Sequence, residues 1–465
     1  MYEYLQEYLS KGIYPFHMPG HKRNPMFFPP RLPELDLTEI PGMDVLRAST
    51  GILGELQAKI SSFYGSDQSF LLVNGSTVGI TTAICAAVGD GGRLYAARNG
   101  HVSMYGGMVL SDALPIYIQP EITPVGLAGG INPAALEDME EGSAAIVVSP
   151  TFEGFVSDIR GIAEKVHDRG GILIVDEAHG AHFPFHSAFP DSALALGADI
   201  VVQSFHKTLP ALGQLAVLHV KGPRVDVGRL KFFLHALQTT SPSYMLMAQL
   251  DYVLDMLWKR PELFDMYVSR LTALRAALTG EGGPVMLTGP ELVGQHGIHD
   301  YDRGKLLFRL NTGRSAEEIS EMLACEYRLQ MEMATGRYLL AMTSVADTDE
   351  GMQRLWAAMG AINIRLDGEQ EAIMQEKDEA PGDESEAAAQ REEEPSYPTP
   401  EQVLSPREAA EHATETIPWE AAAGRIAGEI LAAYPPGIAL VAPGERIPQG
   451  LPKLAETVRV IRETQ

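Results

Sequence analysis

The stretch Ala198-Asp-Ile-Val-Val-Gln-Ser-Phe-His-Lys-Thr-Leu-Pro-Ala-Leu-Gly-Gln214 decides the fold. Its apolar run, Ile200 to Val202, reads as a buried strand; Ser204-Phe-His-Lys207 follows, and then Thr208, Pro210 and Gly213 break the pattern. The strand therefore delivers Lys207 to its own carboxyl end. In open parallel sheets ligands sit at that edge, because loops there carry chemistry while the strands stay rigid. Lysine is also the side chain that can hold an aldehyde cofactor as a Schiff base and release it to an amine substrate. Taken alone, a loop lysine is an ordinary solvated charge. Its company in the sequence gives it another meaning.

About thirty residues upstream, Gly171-Ile-Leu-Ile-Val-Asp176-Glu-Ala-His179-Gly-Ala-His182 reads as a second buried strand with an acid at its end. A cofactor with a pyridine nitrogen needs such a carboxylate: the ion pair keeps the ring protonated, and a protonated ring accepts electrons from a substrate carbanion. Asp-Glu-Ala-His also occurs as a helicase signature, but that reading requires a Gly-x-x-x-x-Gly-Lys-Ser/Thr loop, which the chain lacks. Further upstream, Phe70-Leu-Leu-Val-Asn-Gly75-Ser76-Thr77-Val-Gly79-Ile80 runs from a strand through a hydroxylic turn into a helix. Backbone N–H groups at that helix start, with the Ser76 and Thr77 hydroxyls, suit a phosphate, although an ordinary N-cap reads the same way. The phosphate turn, the acid and the lysine come in the order and spacing of the large domain of fold-type I pyridoxal phosphate (PLP) enzymes.

The sequence resembles the bacterial ornithine/lysine/arginine decarboxylases, in the short form without an N-terminal receiver-like domain. The resemblance runs from His17-Met-Pro-Gly-His-Lys22 through Asn74-Gly-Ser-Thr77, Arg98-Asn-Gly-His101, Asp176-Glu-Ala-His179 and Ser204-Phe-His-Lys207 to Tyr434-Pro-Pro-Gly437 and Ala442-Pro-Gly-Glu445. It implies PLP held on Lys207, with His101 stacked on the ring and Ser76, Thr77, Ser204 and His206 on the phosphate. His179 joins the cofactor-binding set. Thr240, in Phe232-Phe-Leu-His-Ala-Leu-Gln-Thr239-Thr240-Ser-Pro242, matches a threonine that reaches the phosphate of the neighbouring subunit's cofactor, which makes a homodimer or larger homo-oligomer the expected unit. Glu332 matches a glutamate at the pocket mouth, where a carboxylate meets a cationic tail, and His17 lies close to the active site. Two departures from the family pattern stand out: Asp44-Val-Leu-Arg47, where a second acid and a histidine are usual, and Ile438-Ala439-Leu440 in place of Ile-Pro.

Composition sets limits around this reading. At 465 residues the chain exceeds one typical core, and 45% hydrophobic residues are those of a globular protein. A formal net charge of −25 argues against a nucleic-acid partner. No apolar run approaches membrane-spanning length and no signal-like start is present, so a cytoplasmic enzyme without a membrane partner is expected. Cys85 and Cys325 lie in apolar contexts and read as buried thiols in a reducing compartment. No metal site is expected.

The domain reading is an extended, proline-rich arm over residues 1–40, an α/β PLP-binding domain over 41–284 and a smaller α+β domain over 285–366. A flexible acidic linker over 367–404 and a C-terminal module over 405–465 complete it. Within it, Ser149, Thr151 and Glu153 end another buried strand and are pocket-lining candidates, and residues 243–279 form two helices broken at Pro261. The expected reaction is decarboxylation of arginine, lysine or ornithine to the amine and carbon dioxide, a step toward polyamines. The alternatives are another PLP reaction, such as aminotransfer, elimination or aldol cleavage, and a non-catalytic cofactor-binding homologue.

Overall fold

The computed structural model describes residues 1–89, 91–124, 126–279, 283–379, 398–433 and 437–463. Its largest layer is a seven-stranded sheet of β1 (Gln68–Leu72), β2 (Arg93–Ala97), β3 (Leu114–Ile118), β4 (Ala144–Val148), β5 (Ile172–Asp176), β6 (Ile200–Gln203) and β7 (Ala216–Val220). The strand order is β1-β7-β6-β5-β4-β2-β3; β7 runs antiparallel to both neighbours and the remaining pairs are parallel. The central strands are apolar throughout because both faces are covered. Alternate residues feed two cores: Ala145, Val175 and Val201 join one cluster, while Ile146, Ile174, Ile200 and Val202 join the other. Three chemistry-bearing loops, after β2, β5 and β6, consequently open at one edge.

Four helices position that edge. The exposed α1 (Tyr2–Ser10) opens the chain, α2 (Ile52–Tyr64) packs on β1, and α3 (Gly75–Ala87) and α4 (Ser103–Ser111) pack on each other. Close approach of α3 to the sheet depends on Gly79: a Cβ there would meet Leu72 and Val202 side chains at 2.7 and 2.8 Å. The α2 N-terminus is capped by Asp44, whose carboxylate accepts the backbone N–H groups of Thr50, Gly51, Leu53 and Gly54. Asp44, the one acid of the Asp44-Val-Leu-Arg47 segment, thus has a structural role. Helices Tyr244–Lys259 and Glu262–Leu278 break at Pro261, as expected.

A second, antiparallel sheet is built from β8 (Val285–Thr288), β9 (Lys305–Leu310), β10 (Met333–Thr335) and β11 (Tyr338–Met342), in the order β8-β9-β11-β10. The N-terminal segment differs from an extended arm: after α1, Tyr14–Phe16 pairs in parallel with Leu329–Met331 of the same chain, and Phe16 is buried. The helix Asp349–Glu379 runs through the first residues of the stretch expected as a linker. Residues such as Ile362 and Leu366 bury its apolar side before the acidic run begins, so the helix carries into that run. Of the remaining linker, residues 380–397 lie outside the described residues, as do Tyr434, Pro435 and Pro436 of the family motif.

The C-terminal residues form a satellite core, including Val441, Ile447, Val458 and Val460, under the antiparallel pair Thr414–Pro418 and Thr457–Ile461. Ala439 and Ala442 instead enter the core of the large domain. One expectation is corrected: Cys85 is buried but Cys325 is exposed. The helix Ala316–Cys325 buries Ala316, Ile319 and Leu323, and Cys325, two positions beyond Leu323, falls on the opposite side.

Candidate active site

Asp176 ends β5 and lies in register opposite Val202 of β6, so the acid and the Ser204-Phe-His-Lys207 turn stand side by side. One Asp176 oxygen accepts the Ala178 N–H at 3.1 Å. Lys207, half-buried, sits in the short helix Phe205–Thr208. Burial lowers its pKa, while the carboxylates of Asp176 and Glu332 act in the opposite direction. Both acids therefore share one site with the lysine.

His101 faces the same site. Burial, first, holds its pKa below the ordinary value; Asp176 opposes this and Lys207 adds to it. Its Nδ1 accepts the Ser103 N–H at 3.2 Å, which assigns the proton to Nε2 and leaves a neutral ring. His206 donates Nδ1–H to the Leu215 carbonyl at 2.9 Å, and burial, then Lys207, keep its pKa down at about 4. With that nitrogen committed, His206 could donate to a phosphate through Nε2 only as an imidazolium. His179 is buried, with Nε2 3.1 Å from Lys207 Nζ and Nδ1 2.7 Å from Lys305 Nζ.

The residues present fit PLP. Ser204 Oγ and Thr208 Oγ1 are buried without a partner among the described residues, which marks them for something the protein chain does not supply. Nearby, α3 starts at Gly75 without a side-chain cap; the Gly75 N–H donates to the Gln214 carbonyl, and the N–H groups that follow lie beside half-buried Ser76 and exposed Thr77. The amine, the acid, the neutral ring and the anion-accepting turn match an aldehyde, a pyridine nitrogen, a planar ring and a phosphate.

The N-terminal motif closes the site from the other side. Gly20 donates its N–H to the His206 carbonyl at 2.8 Å, and a Cβ on Gly20 would lie 2.6 Å from the Leu209 carbonyl oxygen. Glu332, between Leu329–Met331 and β10, accepts the Met18 N–H at 2.8 Å, which brings His17 and Glu332 together. Lys22, buried, donates to the carbonyls of His17 and Met342. Thr240 is exposed; the preceding Thr239 N–H donates to Asn74 Oδ1 at 3.1 Å.

Sequence reasoning missed two features, Lys305 and the pairing of Arg98 with Glu445. Lys305 read only as the first residue of a strand, yet it is buried against His179 and 5.7 Å from the Phe152 ring. Glu153 was a lining candidate; burial raises its pKa and Lys305 partly opposes this. Arg98 and Glu445, quoted in separate motifs, form a buried pair with contacts of 2.7 and 2.8 Å, and Arg98 also donates to the Leu440 carbonyl. Val102 N–H donates to the Gly437 carbonyl, so the C-terminal module holds the loop that carries His101.

Comparison with known proteins agrees. The model of the "Orn/Lys/Arg decarboxylase, major domain" matches residues 1–314, and that of its C-terminal domain matches residues 388–465. An arginine decarboxylase of Bacillus anthracis is 29% identical over 492 residues, covering 99% of this chain and 96% of that protein. The Francisella novicida lysine decarboxylase LdcF superposes with a TM-score of 0.75 at 19% identity, over 94% of this chain and 76% of that one. SPT solved with PLP gives 0.56 at 15% identity, over 76% and 87% of the two chains. Among the described residues no helix is long and apolar enough to cross a membrane. The chain belongs to the Orn/Lys/Arg decarboxylase family and is a fold-type I, PLP-dependent decarboxylase.

Proposed function

We propose that the enzyme removes the α-carboxylate of a basic L-amino acid, arginine before lysine or ornithine, and releases carbon dioxide and the corresponding amine, a polyamine precursor. The observation that carries this reading is the placement of Lys207 and Asp176 at the ends of adjacent paired strands, with Glu332 across from them. Bound there, PLP supplies an electron sink for the pair left behind when carbon dioxide departs. Asp176 would keep the pyridine nitrogen protonated, and the neutral His101 ring would serve the cofactor's ring. Ser76, Thr77 and Ser204 would take the phosphate, His206 would join them only as an imidazolium, and His179 would stand beside Lys207. Lys207 would hold the cofactor through its amine.

Glu332 and His17 border the mouth, where a carboxylate matches a guanidinium or ammonium tail. Arginine is placed first because a relative matching over nearly its whole length is named arginine decarboxylase. The same reading takes the working unit to be a homodimer or larger, with Thr240 serving the partner's cofactor. Its support is exposed apolar surface on the same segment, where Phe232 is 67% exposed. The domain boundaries are proposed as residues 41–284, 285–379 and 405–465. The test is incubation of the PLP-loaded protein with arginine, lysine and ornithine in turn. Agmatine from arginine is expected; a keto acid in place of any amine would overturn the reading.

A further inference from the structure

His101 is carried by the loop from Arg98 to Val102, between β2 and α4. Its ring is held from within: Nδ1 lies 2.9 Å from Ser103 Oγ and accepts the Ser103 N–H at 3.2 Å. The backbone of the loop is held from outside, by residues 437–445 of the C-terminal module. At its start, the two terminal guanidinium nitrogens of Arg98 donate to the two Glu445 oxygens at 2.7 and 2.8 Å, and one of them also donates to the Leu440 carbonyl at 2.8 Å. At its end, Val102 N–H donates to the Gly437 carbonyl at 3.1 Å. Between these points His101 itself forms an antiparallel bridge with Ile438. The module thus grips the loop at both ends and at the histidine.

The loop needs that grip. A Cβ on Gly100 would lie 1.9 Å from the Met104 side chain, so the residue next to His101 is a glycine, and a glycine leaves the backbone soft. The clamp supplies the missing stiffness at the Arg98–Glu445 pair, which is 1% and 0% exposed. The Glu445 carboxylate also accepts the Ala442 N–H at 2.6 Å, and the Arg98 guanidinium lies 4.5 Å from the centre of the Tyr117 ring. A buried two-pronged pair fixes orientation as well as distance, which pins the angle at which the loop leaves β2. That angle matters for a stacking ring, because flat groups attract only while their planes are kept in contact.

We propose that Glu445 is a positioning residue: through Arg98 and the clamped loop it sets the His101 ring against the cofactor. The C-terminal module is thereby part of the cofactor site, although the Glu445 carboxylate is committed to Arg98 and to its own turn. The inference rests on the cofactor reading above.

The test is a double-mutant cycle on the full-length chain, read as PLP affinity from titration of the visible absorbance, below the unfolding temperature of every variant. Glu445→Gln keeps the shape and removes the charge, and it should weaken PLP binding roughly three- to tenfold, the range of one aromatic contact. His101→Ala should weaken it at least as much. In the His101→Ala background Glu445→Gln should cause no further loss, since the ring it positions is gone. Equal losses in both backgrounds would overturn the proposal, as would a Glu445→Gln chain that melts earlier but binds PLP like wild type. If Glu445→Gln does not fold, hydrogen exchange of the wild-type chain gives the answer, because coupling is reciprocal: a cofactor held through the clamp must in turn hold the clamp. Adding PLP should slow exchange across 437–445 more than across 457–461 of the same module. No slowing at 437–445, or equal slowing in both, would overturn the proposal. Failure of the wild-type chain to develop the absorbance at all would instead sink the cofactor reading, and this inference with it.

Discussion

Arg98 and Glu445, at the joint between the large domain and the C-terminal module, are 1% and 0% exposed and make two charge-assisted hydrogen bonds to each other. Lys305 and His179 at the sheet edge are also buried, and Lys207 half-buried, but the two lysines meet through a shared neutral ring. At the joint, each charge has its complement and the pair fixes geometry. At the edge, burial depresses the pKa values of the basic groups. A direct ion pair thus marks the structural joint, and basic groups gathered around one histidine mark the chemical edge.

The comparison can be broken most sharply at Asp176. Asp176→Asn should retain PLP but lose activity on the order of a hundredfold or more, because a preorganised charge beside the developing one is removed. Cofactor absorbance and initial rates measured on the same sample would check this, and unchanged turnover would remove Asp176 from the chemistry. At the joint the expected loss is in stability. Glu445→Ala leaves Arg98 buried and uncompensated and should cost roughly 3–5 kcal/mol in denaturant unfolding. The exposed pair Arg93–Glu140, 2.6 Å apart, provides the control: Glu140→Ala should cost less than about 1 kcal/mol.

The fold was largely legible because the buried parallel strands are continuous apolar runs that end in chemistry-bearing residues, as at Ile172–Asp176 and Ile200–Gln203. Of the candidate site, Lys207, Asp176, Ser204 and His206 could be placed at strand ends from local pattern, while His101 came from the family resemblance. Lys305 could not, since a lysine opening a strand looks solvated until the fold buries it against His179. The Arg98–Glu445 pair spans 347 positions, and no local pattern encodes such a contact. Cys325 read as buried because neighbouring apolar residues suggested it, although the helical period puts it on the other face.

The smallest expected effect is at Asp44. Burial pushes its carboxyl up, but the backbone N–H groups of Thr50, Val45, Gly54 and Gly51 together hold its pKa below the ordinary carboxylate value. A folded-state pKa lowered in this way adds stability above the unfolded value, and the gain is lost as pH falls through the folded one. Asp44→Asn should therefore flatten the acid side of the stability profile, and Asp44→Ala should cost about 1–2 kcal/mol. Thermal unfolding at a series of pH values reads both; an acid limb identical to wild type would count against the cap.

The central claim is that Lys207, and neither Lys305 nor Lys22, carries the cofactor. Borohydride reduction of the PLP-loaded chain followed by peptide mass spectrometry tests it directly. A single pyridoxyl group on the peptide containing Lys207 is the predicted result. The group on Lys305 or Lys22, or no stable adduct in a protein that still releases carbon dioxide, would contradict it.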